Sequence, residues 1–281
     1  MKKKSLKFLF IMNDQSVNKL KVIKDSIKNF TSESKPNIIC VSKTFPLSAL
    51  ESLIKSGHYH YGENKVQEAE EKWSEKLKTE PNLKIHMVGK LQSNKARKAV
   101  KIFDFIHSLD NHKLADICKK SEKDLNRKIS YFIQVNIGNE IQKSGVQLKD
   151  VKTFLKYCKD EIKLNVIGLM VLPPNDDNTE KYFSNVSQLN YELGLKDLSM
   201  GMSSDYKIAI KYKSTFLRIG SAIMGPRSFK NNNFRFLFIE GKIFKKSLFL
   251  IAIHPLVELN FLLAKCKKIA LPLFFEIGFA L

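Results

Sequence analysis

Short apolar runs alternate with longer amphipathic stretches along most of the chain. Residues 38–41 form the first run. It is rich in β-branched side chains, is bounded by Pro36 and Pro46, and predicts a strand buried on both faces. Ahead of it, apolar residues recur at helical spacing over residues 15–30 and predict an amphipathic helix with a lysine-rich outer face. The pattern therefore predicts a helix followed by a buried strand.

The same alternation continues along the chain. Further strands are predicted at residues 58–61, 85–88, 103–108, 129–137, 164–172, 198–200 and 215–218. Helices are predicted at residues 47–56, 65–78, 93–100, 111–125, 148–158, 179–193, 203–211 and from 220 onward. Strand-then-helix units with short connections favour an α/β fold, a single closed (β/α)8 TIM barrel, over an open doubly wound sheet. No GxGxxG motif follows the first strand, which argues against a dinucleotide-binding fold.

Composition narrows the class of protein further. The chain has 281 residues and a net charge of +20, carried almost entirely by lysine. A nucleic-acid surface usually interleaves arginine with aromatic residues, so we expect no specific nucleic-acid partner; a basic nucleic-acid-binding protein is an alternative that rests on charge alone. The four cysteines lack CxxC spacing, which argues against a zinc site or a redox pair, and we expect no metal. Without a disulfide framework, the predicted compartment is the reducing cytoplasm.

Candidate chemistry collects at the C-terminal ends of the predicted strands, where barrels of this class carry their active sites. Lys43 stands two residues beyond the first strand, and Asn64 follows the second. Lys143 lies in the loop after the fifth strand. A lysine at such a position is either a surface charge that reaches water or a placed amine.

Two turns of glycine and hydroxyl residues follow the last two strands. Ser203 ends the turn Gly201-Met-Ser203, and Gly220 and Ser221 follow Arg218. Each turn is predicted to lead directly into a helix N-terminus, where N–H groups and the helix dipole favour an anion. Ordinary helix capping is the alternative. A phosphate site together with an amine suggests a phosphorylated aldehyde bound to the lysine as an imine, and pyridoxal 5′-phosphate (PLP) is the commonest ligand of that kind.

Seven short motifs occur in order over about residues 13–227 of the chain. They are Val41-Ser-Lys-Thr44, Tyr61-Gly-Glu-Asn64, His86-Met-Val-Gly89 with Leu91-Gln-Ser-Asn-Lys95, Lys143-Ser-Gly145, Gly168-Leu-Met170, Ser199-Met-Gly-Met-Ser203, and Arg218-Ile-Gly-Ser-Ala-Ile223 with Gly225. On these motifs the chain resembles the pyridoxal phosphate homeostasis protein family, single-domain relatives of the alanine racemase barrel. The resemblance implies a TIM barrel of the alanine racemase N-terminal type, followed here by a poorly defined C-terminal extension.

The resemblance also implies which residues bind the cofactor. The family positions fall on Lys43, Asn64, Ser203, Arg218, Gly220 and Ser221. Lys43 is implied to form the Schiff base with PLP, whereas Ser203, Gly220 and Ser221 are implied to hold its phosphate. Arg218 is implied to lie against the ring or the phosphate, and Asn64 near the ring. Lys143 matches a second loop lysine shared by many members, for which cofactor transfer and a solvated position both stay open.

The implied function is non-catalytic binding of PLP for intracellular vitamin B6 homeostasis, with apo-enzymes that use PLP as expected recipients. We expect a monomer. The alternative is a PLP-dependent, racemase-like enzyme. Racemisation needs a second base, and in alanine racemases that base is a tyrosine from a separate C-terminal β-domain. Residues 231–281 contain no tyrosine and no strand–turn pattern, which favours the non-catalytic interpretation.

The sequence predicts three segments. Residues 1–12 are an N-terminal extension, with Met12 as an alternative start; their apolar part, residues 8–12, is too short for a signal peptide. Residues 13–230 form the barrel. Residues 231–281 are a tail rich in lysine and phenylalanine, in which polar and proline residues interrupt every apolar stretch. An extension by readthrough or frameshift, a helical addition and membrane association are its alternatives; we expect no membrane attachment.

Overall fold

The computed structural model describes residues 2–30, 35–138 and 144–226, with side chains from residue 15 onward. Lys143 and the predicted tail, residues 231–281, lie outside the described residues. The described residues belong to one compact unit. In the part of the chain that is described, no helix is both long and apolar enough to cross a bilayer.

Eight parallel strands close into a barrel, as the alternation of strands and helices predicts. In chain order they are β1 (Asn37–Val41), β2 (His60–Glu63), β3 (Lys84–Met87), β4 (Phe105–Leu109), β5 (Ser130–Asn136), β7 (Val166–Val171), β8 (Asp197–Ser199) and β9 (Phe216–Ile219). The pairing of β4 with β5 and the pairing of β1 with β9 complete the ring. A two-residue strand that the sequence did not predict, β6 (Val146–Gln147), pairs with the end of β5.

The helices follow the strands around the outside of the barrel. They are α1 (Lys2–Lys28), α2 (Glu51–Lys55), α3 (Val66–Trp73), α4 (Lys76–Thr79), α5 (Ala96–Ile102), α6 (His112–Asp124), α7 (Val151–Lys156), α8 (Thr179–Glu192), α9 (Tyr206–Lys211) and α10 (Ser221–Met224). Short 3-10 turns at Leu47–Ala49, Ser93–Lys95 and Leu148–Asp150 precede α2, α5 and α7. Asn111 caps α6, because its side chain accepts a hydrogen bond of 2.9 Å from the N–H of Leu114.

Several elements begin later than the sequence predicts, and the backbone hydrogen bonds of β2 and α9 show the cause for those two. The second strand was predicted from residue 58 and begins at His60, because the N–H of His58 still bonds to Leu53 and closes the C-terminal cap of α2. Helix α9 was predicted from residue 203 and begins at Tyr206, because the N–H groups of Asp205 and Tyr206 both bond to Met202 and form a turn first.

Side chains alternate between two separate cores. Along β9, Leu217 and Ile219 pack in the large apolar core between strands and helices. Phe216 lies in the smaller cluster inside the barrel, together with Ile39, Phe132 and Met170. Arg218 shares the inner face of β9, as the period-two alternation of a strand requires. The barrel interior therefore contains a buried cation among apolar side chains.

Candidate functional site

A cavity of about 380 Å³ opens at the C-terminal end of the barrel. Its lining includes all six residues that the sequence predicted: Lys43, Asn64, Ser203, Arg218, Gly220 and Ser221. They come from four different parts of the chain, and they meet because the C-terminal ends of parallel strands share one face of a barrel. The volume lies within the range of pockets that hold small organic ligands.

Lys43 and Asn64 occupy one part of the lining, directly after β1 and β2. Both side chains are partly buried. The backbone of Asn64 packs closely against Gly89, where an added Cβ would lie 2.5 Å from the Asn64 carbonyl oxygen. Only glycine permits that approach, so the glycine after β3 contributes to the placement of Asn64.

The main chain before Lys43 is anchored by a buried ion pair between Glu63 and Lys72. Lys72 Nζ donates to Glu63 Oε1 at 2.8 Å and to the Ser42 carbonyl at 2.9 Å. Glu63 Oε1 also accepts from Ser42 Oγ at 2.7 Å and from Trp73 Nε1 at 3.1 Å. The Glu63 side chain is fully buried, and this desolvation raises the pKa of its carboxyl, while Lys72 and the two other donors oppose the shift. We call these four residues the Glu63–Lys72 network.

The residue after Lys43 is held in an uncommon conformation. Thr44 has a φ of 69°, in the left-handed region that β-branched residues rarely adopt. Its N–H donates to the carboxylate of Glu68, which Lys72 also approaches at 3.3 Å. The backbone on both sides of Lys43 is therefore fixed by contacts with α3, at some cost in local strain.

Arg218 is a buried cation at the base of the cavity. Its Nη1 donates to Ser199 Oγ at 2.6 Å, and its Nη2 donates to the Val171 carbonyl at 2.8 Å. Among the described residues, no carboxylate forms a salt bridge with it. Desolvation lowers the pKa of Arg218 to about 10, with Asp205 opposing the shift, so the guanidinium stays charged at neutral pH. A charge in such surroundings favours an anionic ligand in the cavity.

The two glycine-and-hydroxyl turns meet beside Arg218. Ser203 Oγ accepts a hydrogen bond of 3.2 Å from the N–H of Ala222 and so connects the turn after β8 with the start of α10. Within the described residues, the backbone N–H groups of Ser203, Ser204 and Ser221 have no hydrogen-bond acceptor. The prediction that both turns lead directly into helices was right for the second turn and wrong for the first, which the turn at residues 203–205 separates from α9.

A chain of three histidines crosses the barrel interior below the cavity, and sequence reasoning missed it. His60 Nδ1 lies 3.0 Å from His86 Nε2, and His86 Nδ1 lies 3.0 Å from His107 Nε2. His107 Nδ1 lies 2.8 Å from Ser199 Oγ. Burial lowers the pKa of all three imidazoles, so they are neutral at pH 7. We call the three residues the histidine relay; their positions on the inner faces of three consecutive strands were the signal available in the sequence.

None of the three described cysteines lines the cavity. Cys40, Cys118 and Cys158 are free and buried. Burial raises the pKa of the Cys40 thiol far above its usual range, so the thiol stays protonated and unreactive. In the described ranges, no group of three or more histidine, cysteine, aspartate or glutamate side chains is arranged to hold a metal ion.

Comparisons with known sequences and structures identify one family. Residues 19–228 match the family model described as alanine racemase, N-terminal domain. The pyridoxal phosphate homeostasis protein of Haemophilus influenzae is 34% identical over 228 residues, which cover 76% of this chain and 96% of that protein. The structure of PipY from Synechococcus elongatus PCC7942 with PLP bound is 33% identical, with a TM-score of 0.66 over 75% of this chain and 100% of that one. Alanine racemase from Corynebacterium glutamicum, 14% identical with a TM-score of 0.59 over 78% of this chain and 62% of that one, shares the fold.

Proposed function

Because the chain belongs to the alanine racemase N-terminal domain family, and within it to the pyridoxal phosphate homeostasis proteins, we propose that it binds PLP without catalysing a reaction. In this role it holds the cofactor for intracellular vitamin B6 homeostasis. The observation that carries the proposal is the cavity, which combines a lysine, a buried arginine and two hydroxyl turns. This donor set fits a phosphorylated aldehyde of small size.

Lys43 provides the covalent link. Its amine condenses with the aldehyde carbon of PLP and releases one molecule of water. That reaction needs the neutral form of the amine, because only the neutral nitrogen carries the lone pair that attacks the carbonyl carbon. When bound, PLP supplies an electrophilic carbonyl carbon joined to an electron-withdrawing ring.

The phosphate is held by the two turns. Ser203 offers its hydroxyl proton, since its oxygen already accepts from Ala222. The N–H groups of Ser203, Ser204 and Ser221 are further donors for phosphate oxygens. Gly220 keeps the backbone accessible beside them, while Arg218 lies against the ring or the phosphate and Asn64 near the ring.

A racemase-like enzyme is the second candidate, and the lining of the cavity favours the non-catalytic role. Among the described lining residues, Lys43 is the one side chain of the types that usually serve as general acids or bases. Racemisation needs a second such group.

We extend the proposal to delivery of PLP to apo-enzymes by a monomer in the cytoplasm. Lys143, outside the described residues, is a candidate for a part in that transfer.

Reduction with borohydride tests the covalent link. The purified protein with PLP should be yellow, and reduction should fix a pyridoxyl group that peptide mapping recovers on Lys43. Lys43→Ala should lose the colour and the label without losing its fold, whereas Lys95→Ala should keep both. Recovery of the label on Lys95 or Lys143 would overturn the assignment of Lys43.

Comparison of PLP with pyridoxal tests the phosphate site. Ser203→Ala should weaken PLP binding by about 1–2 kcal/mol, because a hydrogen bond to a charged group is lost. Its affinity for pyridoxal should not change, which makes pyridoxal the matched control. Equal affinity of the unsubstituted protein for both compounds would show that the turns are only helix caps. Exchange of the α-proton of alanine by the loaded protein would favour the racemase.

A further inference from the structure

The hydroxyl of Ser199 lies between the cavity cation and the histidine relay. Ser199 is fully buried on β8. Its Oγ is 2.6 Å from Arg218 Nη1 and 2.8 Å from His107 Nδ1. In the part of the chain that is described, these are its two side-chain partners. Among the described residues, the side-chain hydrogen bond that holds Arg218 is therefore the one to this oxygen, since its other hydrogen bond goes to the Val171 carbonyl.

The chemistry of the partners fixes the direction of each hydrogen bond. A guanidinium can only donate, so Ser199 Oγ accepts from Arg218. The single proton of the hydroxyl is then available for His107 Nδ1, which must be unprotonated to accept it. The opposite arrangement, with Nδ1–H donating to Ser199, would leave a buried hydroxyl proton without an acceptor, which is costly.

The direction of the first bond determines those that follow. A neutral His107 that accepts at Nδ1 carries its proton on Nε2 and donates it to His86 Nδ1. His86 then carries its proton on Nε2 and donates to His60 Nδ1. All three imidazoles are thus Nε2–H tautomers, and along the chain of hydrogen bonds each N–H donor is directed away from Ser199. The relay takes up the hydroxyl proton of Ser199, so the oxygen of Ser199 is free to accept from Arg218.

We propose that Ser199 is a positioning residue that holds the Arg218 guanidinium for the bound cofactor, and that the histidine relay keeps Ser199 in the accepting orientation. This inference rests on the proposed binding of PLP. Ser199 does not line the cavity, so its effect on the cofactor passes through Arg218. Ser199 and the Val171 carbonyl hold two nitrogens of the guanidinium, so its remaining N–H groups keep a fixed direction.

Ser199→Ala and Ser108→Ala form a matched pair for the test. Ser108 is also a buried serine on a barrel strand, but its hydroxyl has no hydrogen-bond partner among the described residues. Ser199→Ala in the full-length chain should bind PLP about tenfold more weakly, the change that 1.4 kcal/mol produces. Its absorbance band at saturating PLP should shift, because the guanidinium beside the cofactor is no longer fixed. Ser108→Ala should change neither.

The outcomes separate this inference from the proposed function. If the unsubstituted protein does not bind PLP, the proposed function fails. If it binds, but Ser199→Ala has unchanged affinity and spectrum, or Ser108→Ala changes equally, the positioning role is overturned. Ser199→Cys, which retains a weak donor and acceptor, replaces the alanine variant if that variant does not fold.

Nitrogen-15 NMR of the protein without PLP tests the histidine relay separately. The ring shifts should report Nε2–H tautomers for all three histidines, and an Nδ1–H signal from His107 would overturn the proposed direction of the hydrogen bonds.

Discussion

Lys43 follows β1 and Arg218 lies on the neighbouring strand β9, yet the polar groups that support the two residues differ in charge and in position. The Glu63–Lys72 network lies outside the strands against α3, contains two opposite charges, and contacts the main chain at Ser42. The histidine relay lies inside the barrel, is neutral, and supports the Arg218 side chain through a hydroxyl. The Glu63–Lys72 network holds the backbone beside Lys43, whereas the histidine relay acts on the side chain of Arg218.

The difference follows from what each cation has to do in the proposed function. A lysine that reacts must be able to lose its proton and move its amine, so support through the backbone fixes its position without fixing its chemistry. An arginine keeps its charge, and it recognises a ligand through the direction of its planar N–H donors. Neutral acceptors hold those donors without cancelling the charge that attracts the ligand.

The largest expected effect comes from breaking the charged support. Glu63→Gln should lower the free energy of unfolding by as much as about 3–5 kcal/mol, because the buried Lys72 loses its closest counter-charge and keeps Glu68, at 3.3 Å, as its remaining ion-pair partner. Urea denaturation measures this loss. Glu75→Ala is the matched control, since its ion pair with Lys78 is exposed and should contribute less than about 1 kcal/mol. Equal losses in the two variants would show that the buried pair is not a support of the fold.

The two supports also differ in how far the sequence could predict them. The barrel was predictable because the apolar runs alternate regularly with helical patterns, and the cavity residues were predictable because each follows a strand end. The partners were not, because His107 and Ser199 are 92 positions apart and meet only through the registers of several strands. Glu63 lay within a recognised motif, but the two-residue shift of β2 placed it inside a strand facing α3. Sequence patterns give positions along strands and leave the packing of buried polar groups undetermined.

A smaller effect on the free energy of unfolding is expected from the neutral histidine relay at acidic pH. Burial lowers the folded-state pKa of His86 and His107 well below 6.5, so the unfolded chain binds protons that the folded chain does not. Their stabilising contribution is complete above pH 6.5 and is lost as the pH falls, by about 1.4 kcal/mol per pH unit for each histidine. Glu63, whose folded-state pKa is raised, acts in the opposite direction, so the test compares variants under identical conditions.

His86→Leu provides that comparison. The slope of its unfolding free energy against pH, measured by denaturation below pH 6, should be smaller than that of the unsubstituted protein by about 1.4 kcal/mol per pH unit. His112→Ala, which removes an exposed histidine, should leave the slope nearly unchanged. A His86→Leu slope identical to that of the parent would mean that the relay carries protons in the folded state, contrary to its assignment as neutral.

The smallest expected effect comes from removing residues 231–281, and it tests whether both supports are complete without them. Every residue of the Glu63–Lys72 network and of the histidine relay lies before residue 200, Arg218 follows on β9, and the family match ends at residue 228. We therefore propose that residues 13–230 form the complete binding domain. Truncation after residue 230 should keep the absorbance of the PLP complex and change the unfolding free energy by less than about 0.5 kcal/mol. Truncation after residue 215, which removes β9 and Arg218, should abolish both folding and binding, because the barrel loses the strand that closes it against β1. If the truncation after residue 230 behaved like the one after residue 215, residues 231–281 would be an integral part of the domain, and the family match would not mark its boundary.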